Sequence, residues 1–281
     1  MNIEYLWEGL DLISNYCTQK LNPEQYILIQ NSLLVLQNEN RFKNIFFWGR
    51  IDGIEKDYFI AFGTYADCLG ERKFYYSTDC YNWLMMPYEN KELFETCFLC
   101  KEPLLGDPTH LTVVKLDPKF SFDENQIILA TEPEVVKMKE EDRLSCLVNR
   151  ITEETAIIPR GAIYKLIDKT AIHNPLFRGL EELEIDDQAY YCHYRDPKND
   201  YISNLAKKPD YNYCIDFLDT IDETFPKKRA FALNMGFNDR VSIIHSCIWP
   251  GMTFFHKLNS RKHGFAYFGN GKYNIDFLFM L

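Results

Sequence analysis

The stretch of sequence that decides the fold is Val241–Leu281, which reads VSIIHSCIWPGMTFFHKLNSRKHGFAYFGNGKYNIDFLFML. β-Branched and aromatic residues dominate both halves, on either side of the basic and polar segment Lys257–His263, and such a composition is typical of strands joined by a loop. Because Pro250 cannot donate to a sheet ladder and Gly251 weakens a strand, we expect Trp249-Pro250-Gly251 to mark a bulge or a strand end. The stretch therefore predicts a sheet.

Other strands precede it. Ile45–Ile51 and Asp57–Gly63 flank an Asp52-Gly53 pair, which predicts a β-hairpin. Phe231–Met235 is expected to pair with Val241–Ser246. Shorter strands are predicted at Phe74–Ser77, Trp83–Met86 and Ala156–Ile158.

Two helices are predicted before the first hairpin. Apolar residues recur at helical spacing over Ile3–Cys17. The next helix begins after Asn22, where Pro23 and Gln25 complete an N-terminal capping pattern, and runs to about Glu39. Its middle is apolar almost all round, so it must be covered on more than one side, by its own chain or by a second subunit. Further helical segments are predicted at Glu89–Cys100, Lys139–Thr152, Leu180–Tyr191 and Tyr213–Thr224, with a loop over Pro103–Asp123.

These elements predict an α+β fold: a mainly antiparallel sheet covered by several helices, with an N-terminal helical pair. The chain shows no internal repeat and no flexible linker, so we expect a single domain over residues 1–281. Within it, residues 1–40 hold the helical pair and residues 41–281 a mixed α+β body.

Composition narrows the possible partners. The net charge is −10 and the pI is about 5.2, whereas nucleic acids and anionic membranes attract a basic surface. Nine cysteines lack framework spacing, and the first residues lack the pattern of a secretion signal, which predicts a reduced, intracellular protein. No window of 18 apolar residues is present, so no membrane-spanning segment is expected.

The sequence motifs that could indicate a chemical site are incomplete. Cys97 and Cys100 have metal-ligand spacing but lack a second ligand pair, and the six histidines are dispersed. Phe268–Lys272 resembles half of a phosphate-binding loop, but a tight turn after a strand is the better interpretation. Ser242 and His245 lack a nucleophile-elbow motif. We therefore expect no catalytic, cofactor-binding or metal-binding residue. The acids Asp216, Asp219, Asp222 and Glu223 are expected to line one solvated helical face, or alternatively to meet a basic partner.

The C-terminal residues Phe277–Leu281 are apolar, and leaving them in water would expose a sizeable patch. We therefore expect this tail to be docked. The sequence leaves open whether it completes the core of its own chain or lies against a partner.

Three blocks of sequence stand out: Phe47–Ile51 with Asp57–Ala61, then Ile157–Ala162, and then Trp249–Phe254 with Tyr267–Lys272 and Phe279–Leu281. Together these blocks resemble the radial spoke head proteins of motile cilia. They occur in the family's order and reach from about residue 45 to the last residue. The residues that carry the resemblance, and that we take as packing or interface candidates, are Trp48, Gly49, Arg50, Tyr58, Pro159, Arg160, Gly161, Trp249, Pro250, Gly251, Gly269, Gly271, Phe279, Met280 and Leu281.

The resemblance implies a non-enzymatic subunit of the radial spoke head in the ciliary axoneme. It implies packing with other spoke head proteins, of the 4 and 6 type, self-association, and contact with central-pair projections. The subunit would help to relay mechanical signals from the central pair to the dynein arms. Two alternatives from other classes stay open: a small-molecule enzyme that uses the turn Gly269–Lys272, and a soluble adaptor outside the axoneme.

Overall fold

The computed structural model describes residues 1–17, 20–88, 90–100, 102–115, 120–122, 128–130, 135–198, 210–236 and 240–279. Its α-helices are α1 (Leu6–Ser14), α2 (Pro23–Asn40), α3 (Lys91–Leu99) and α4 (Glu140–Thr155). Short 3-10 helices lie at Ile3–Tyr5, Gln188–Tyr190, Ile221–Glu223 and Ile275–Phe279. The strands are β1 (Asn44–Ile51), β2 (Tyr58–Thr64), β3 (Lys73–Ser77), β4 (Leu84–Met85), β5 (Leu111–Lys115), β6 (Phe120–Phe122), β7 (Ile128–Ala130), β8 (Val135–Lys139), β9 (Ile157–Pro159), β10 (Ile163–Lys165), β11 (Ala171–His173), β12 (Tyr191–His193), β13 (Phe231–Gly236), β14 (Val241–Ser246), β15 (Met252–Lys257) and β16 (His263–Gly269).

The centre of the molecule is an eight-stranded sheet in the order β13-β14-β15-β16-β1-β2-β3-β4. Neighbouring strands of this sheet are antiparallel, except that β1 and β16 run parallel. In that pair Gly49 lies opposite Tyr267. The α+β class and the predicted hairpins are therefore confirmed. The parallel pair joins the four C-terminal strands to the strands that follow α2, so the chain closes the sheet only with its last strand.

The central strands β1 and β2 are buried on both faces of the sheet. Consecutive side chains of a strand point to opposite faces. On β1, Phe46 and Trp48 pack in the cluster that includes α4, whereas Phe47 packs in the cluster that includes α1 and α2. This two-sided burial explains why the central strands read as continuous apolar runs rather than as alternating ones.

The N-terminal helical pair is present in part. Helix α2 has the predicted capping box, in which Asn22 and Gln25 exchange hydrogen bonds with the backbone. Helix α1 is shorter than predicted, because a 3-10 helix occupies Ile3–Tyr5. The two helices meet through the rings of Trp7 and Tyr26, whose centres lie 4.5 Å apart, and both cover the same face of the sheet.

Three predictions of local structure were wrong. Leu180–Tyr191 and Tyr213–Thr224 form turns and short 3-10 helices instead of α-helices. Asp and Asn side chains in or next to these segments bond nearby backbone N–H groups, as where Asp187 accepts from Ala189 and Asn212 accepts from Cys214. Such local bonds compete with a helix. The predicted loop Pro103–Asp123 contains β5, which pairs with β8.

Candidate interaction surface

Two tryptophans of the three sequence blocks fix α4 to the sheet. The indole nitrogen of Trp48 donates to the Thr152 hydroxyl at 2.8 Å, and that of Trp249 donates to Glu154 at 2.6 Å. Both indoles are fully buried, where an unpaired N–H would be costly. These contacts hold the C-terminal half of α4 against the sheet from two strand regions that are distant in sequence.

The N-terminal end of α4 is held by a single buried carboxylate, Glu140. Its oxygens accept hydrogen bonds from the Tyr58 hydroxyl at 2.7 Å, from the Leu105 N–H at 2.8 Å and from the Gly106 N–H at 2.7 Å. Burial, and then the hydrogen bond to Glu140, raises the pKa of Tyr58 well above its usual value. The sequence indicated Glu140 only as one of the acids in the first turn of this helix, and it did not indicate the buried contacts.

Two of the candidate glycines permit close approach of backbones. Gly49 lies at a bulge of β1 with φ of 146°, and a Cβ there would stand 2.1 Å from the Tyr267 carbonyl oxygen. Gly251 has φ of 105°, and a Cβ there would stand 2.2 Å from the Phe268 carbonyl oxygen. Both positions therefore require glycine, and Trp249-Pro250-Gly251 forms the predicted strand end between β14 and β15.

Several other candidate residues lie at strand ends or in the turns that follow them. Pro159 ends β9, and Gly161 follows it at the turn into β10. Arg50 forms ion pairs with Asp52 and Asp57 at the first hairpin. Gly269 lies at the end of β16, and Gly271 lies in the turn beyond it.

Arg160 joins two segments through ion pairs, of which the one with Asp216 is buried. Its guanidinium contacts both carboxylate oxygens of Asp216, at 2.5 and 2.8 Å, and one oxygen of Asp210 at 2.6 Å. The bond to Asp216 raises the pKa of Arg160 above its ordinary value. Asp216 is only 2% exposed, so this acid holds the loop around residue 216 against the turn after β9.

The prediction of a solvated acidic face was therefore wrong. Asp216, Asp219 and Asp222 are all buried, and no α-helix aligns them with Glu223. Asp219 accepts hydrogen bonds from Arg195 at 2.9 Å and from the Lys198 N–H at 2.7 Å. Asp216 and Asp219 compensate basic groups and backbone donors, which their spacing in the sequence did not reveal.

The candidate chemical sites have structural partners. The Cys97 thiol is buried 3.8 Å from the Met138 sulfur. Ser242 bonds the Tyr191 hydroxyl at 2.6 Å, and His245 bonds Thr253 at 3.2 Å. Within the described ranges, no group of three or more His, Cys, Asp or Glu residues is placed to hold a metal ion. None of the described helices is long and apolar enough to cross a membrane.

The clearest candidate for an interaction is one side of α2. Ile29, Leu33 and Leu36 are buried against the sheet. On the opposite side, four large apolar side chains are about half exposed, and we call them the outer face of α2: Ile27, Leu28, Leu34 and Val35. A contiguous apolar patch on a helix is typical of a protein–protein interface.

The C-terminal tail is a second exposed apolar segment. Asn274 fixes its start, because its N–H donates to the Ile248 carbonyl at 2.9 Å. Beyond it, Ile275 is 73% and Phe279 is 89% exposed. Docking of Phe279 on the core of its own chain is therefore contradicted, whereas Met280 and Leu281 lie outside the described residues.

Comparison with known proteins identifies relatives that are similar to this chain over its full length. Proteins named radial spoke head protein 9 homolog from Bos taurus, Homo sapiens and Danio rerio are 32%, 32% and 33% identical to this chain. Each alignment covers 100% of this chain and 100% of the relative. No protein-family model matches the chain.

Proposed function

Because the chain belongs to the radial spoke head protein 9 family, we propose that it is a non-enzymatic, single-domain structural subunit of the radial spoke head in the axoneme of motile cilia. Made in the cytoplasm, it packs against spoke head proteins of the 4 and 6 type and helps to relay mechanical signals from the central pair to the dynein arms. The observation that carries this proposal is the 32% identity to the human homologue over the full length of both chains.

The turn Gly269–Lys272 gives little support to the enzyme alternative. Its Gly271 N–H donates to the Tyr267 hydroxyl at 3.0 Å, and its Lys272 N–H donates to the Asn270 side chain at 3.2 Å. A phosphate-binding loop presents such N–H groups to the ligand. Here the groups are taken by side chains of the same segment.

Fractionation tests the role against the adaptor alternative. We expect the protein to stay with detergent-extracted axonemes and to leave them together with other spoke head proteins when the spokes are extracted. Recovery in cytosolic complexes, with none in washed axonemes, would contradict the spoke-head role.

The outer face of α2 supports self-association, because its pattern is symmetrical about Asn31. Leu28 and Leu34 lie three residues to either side, and Ile27 and Val35 lie four residues to either side. In an antiparallel pair of helices that cross at Asn31, each apolar residue therefore meets an apolar residue of the second copy. A twofold interface requires this self-complementarity.

Charge favours the antiparallel arrangement. The only charged residues of α2 are Glu24 and Glu39, near its two ends. A parallel pair would place each glutamate against its own copy, and like charges that face each other are destabilising. In the antiparallel pair, Glu24 lies opposite Asn38 of the second copy. A cleft of about 300 Å³, lined by Val35 and Tyr81 among others, adjoins the C-terminal end of the outer face of α2.

Cross-linking tests this arrangement separately from the spoke-head role. Under mild oxidation we expect Asn31→Cys to form a disulfide with its own copy, since Asn31 lies on the twofold axis. Leu28→Cys alone should not cross-link, but a mixture of Leu28→Cys and Leu34→Cys chains should. The unsubstituted chain is the control, because Cys214 is exposed.

A sedimentation profile of a monomer, or a cross-link within Leu28→Cys alone, would contradict the antiparallel pair. Neither result bears on retention in the axoneme, so failure of the pair and failure of the spoke-head role remain distinguishable.

A further inference from the structure

A cavity of about 480 Å³ opens at the end of the sheet where β1 and β16 begin. Phe46, Phe62 and Phe265 line it from the sheet, and His173 and Tyr194 line it from the layer that covers the sheet. Small-molecule pockets in proteins usually hold roughly 300–1,000 Å³. The cavity therefore has the size of a ligand site, and it lies apart from both exposed apolar surfaces described above.

The sheet side of the cavity is aromatic. The rings of Phe46 and Phe62 lie 4.9 Å apart with 16° between their planes, and those of Phe62 and Phe265 lie 6.3 Å apart with 17° between them. Three rings therefore stand in nearly parallel planes. A flat aromatic molecule can continue such a stack at little cost in conformational entropy.

The opposite side presents polar atoms that the chain leaves unsatisfied. Among the described residues, neither the Tyr194 hydroxyl nor the Nε2 of His173 has a hydrogen-bond partner. Tyr194 is only 4% exposed, and its ring centre lies 6.4 Å from that of His173. Buried polar groups are nearly always hydrogen-bonded, so these two adjacent groups point to a bound molecule that bonds them.

The charges around the cavity disfavour a cationic ligand. Lys43 and Arg261 line it, against a single acidic residue, Glu4. Burial, and then the charges of Lys43 and Arg72, lowers the pKa of His173 to about 4, so its imidazole is neutral at pH 7. The imidazole therefore offers hydrogen bonding without a charge of its own.

We propose that this cavity is a binding site for a flat aromatic molecule without a positive charge that carries a hydroxyl or similar hydrogen-bonding group. The ring lies against the stack of Phe46, Phe62 and Phe265, and the polar group bonds Tyr194 and His173. This site does not depend on the spoke-head role, because it rests on the cavity and its unsatisfied groups alone.

Equilibrium dialysis with 2-naphthol and naphthalene tests the proposal, since the two probes differ only by a hydroxyl. We expect one molecule of 2-naphthol to bind per chain. We expect naphthalene to bind at least about tenfold more weakly, because it leaves the buried groups unpaired. Absence of saturable 2-naphthol binding, or equal binding of the two probes, would overturn the site.

Tyr194→Phe removes only a hydroxyl that has no partner among the described residues, so the chain is expected to fold with an unchanged or higher melting temperature. The ratio of its affinity for 2-naphthol to its affinity for naphthalene should fall to near one. Tyr213→Phe changes an exposed tyrosine and serves as the control, which should keep the full ratio. A preference that survives Tyr194→Phe would place the probe elsewhere, for instance on the outer face of α2, and would overturn the proposal. If Tyr194→Phe does not fold, His173→Phe replaces it, with the same two outcomes.

Discussion

Glu140→Gln tests whether one buried carboxylate fixes α4 to the rest of the molecule. The substitution turns the oxygen that accepts from the Leu105 N–H into an NH2 group, which cannot accept. That bond alone is worth about 1.5–3 kcal/mol as a bond to a carboxylate. The bonds from Tyr58 and Gly106 then reach a neutral amide and weaken by roughly 1 kcal/mol together. We therefore expect the free energy of unfolding to fall by about 3 kcal/mol.

Urea unfolding followed by circular dichroism measures this loss. Glu153→Gln makes the same chemical change on the exposed side of α4, where its ion pair with Lys198 spans 3.7 Å, and should cost less than about 1 kcal/mol. Tyr58→Phe removes one of the three donors and should cost about 1–2 kcal/mol. A Glu140→Gln protein within 1 kcal/mol of the unsubstituted chain would refute the reasoning.

Three further outcomes follow from the contacts. Arg160→Ala should lower the free energy of unfolding by about 3 kcal/mol, since it leaves the buried Asp216 carboxylate unpaired; an unchanged denaturation midpoint would count against this. Phe279→Ser should leave the melting temperature unchanged, because Phe279 is 89% exposed, but it should weaken co-purification with other spoke head proteins. A lower melting temperature with unchanged co-purification would show that the tail belongs to the core. Stability should fall as the pH drops from 6.5 to 5, because burial lowers the pKa of several histidines to about 3 or 4, so that the unfolded chain binds protons that the folded chain does not. The histidines are His173, His193, His256 and His263. One such histidine lowers the free energy of unfolding by about 2 kcal/mol at pH 5 relative to pH 7. Equal stability at pH 7 and pH 5 would exclude the effect.

The sequence predicted what depends on neighbouring residues. The turn pair Asp52-Gly53, the proline and glycine after Trp249, and the capping residues around Pro23 are local signals. Each of them lies where the structure begins or ends the corresponding element. The exposed side of α2 was also foreseeable, since a helix that is apolar almost all round cannot bury every side against one sheet.

What the sequence did not reveal depends on contacts between distant residues. The parallel pairing of β1 with β16 joins positions more than 200 residues apart, and no local pattern specifies it. Asp216 is buried with Arg160, which lies 56 residues earlier in the chain. Without that partner in view, the spacing of the acids resembled the solvated face of a helix. The cavity is formed by strands from several parts of the chain and has no signal in any one of them.

The fate of the candidate glycines shows a related limit. Gly49 was singled out by resemblance alone and Gly251 also as a strand breaker, and the structure supplies a further physical reason in the close backbones of Tyr267 and Phe268. Such a reason needs the partner backbone, which the sequence does not place. The interface role of the tail stays a proposal, with Phe279 exposed and the last two residues outside the described part of the chain.

Location in the axoneme tests the spoke-head role most directly. The Met1 amine donates to the buried Phe47 carbonyl at 2.6 Å, and the tail is a proposed interface, so a label at either terminus would disturb the protein. The β10–β11 turn is a better site for an inserted tag, because Ile167 there is fully exposed. Electron tomography of axonemes that carry this tagged chain should show the label at the heads of the radial spokes. Axonemes with complete spokes and no label at their heads would contradict the account.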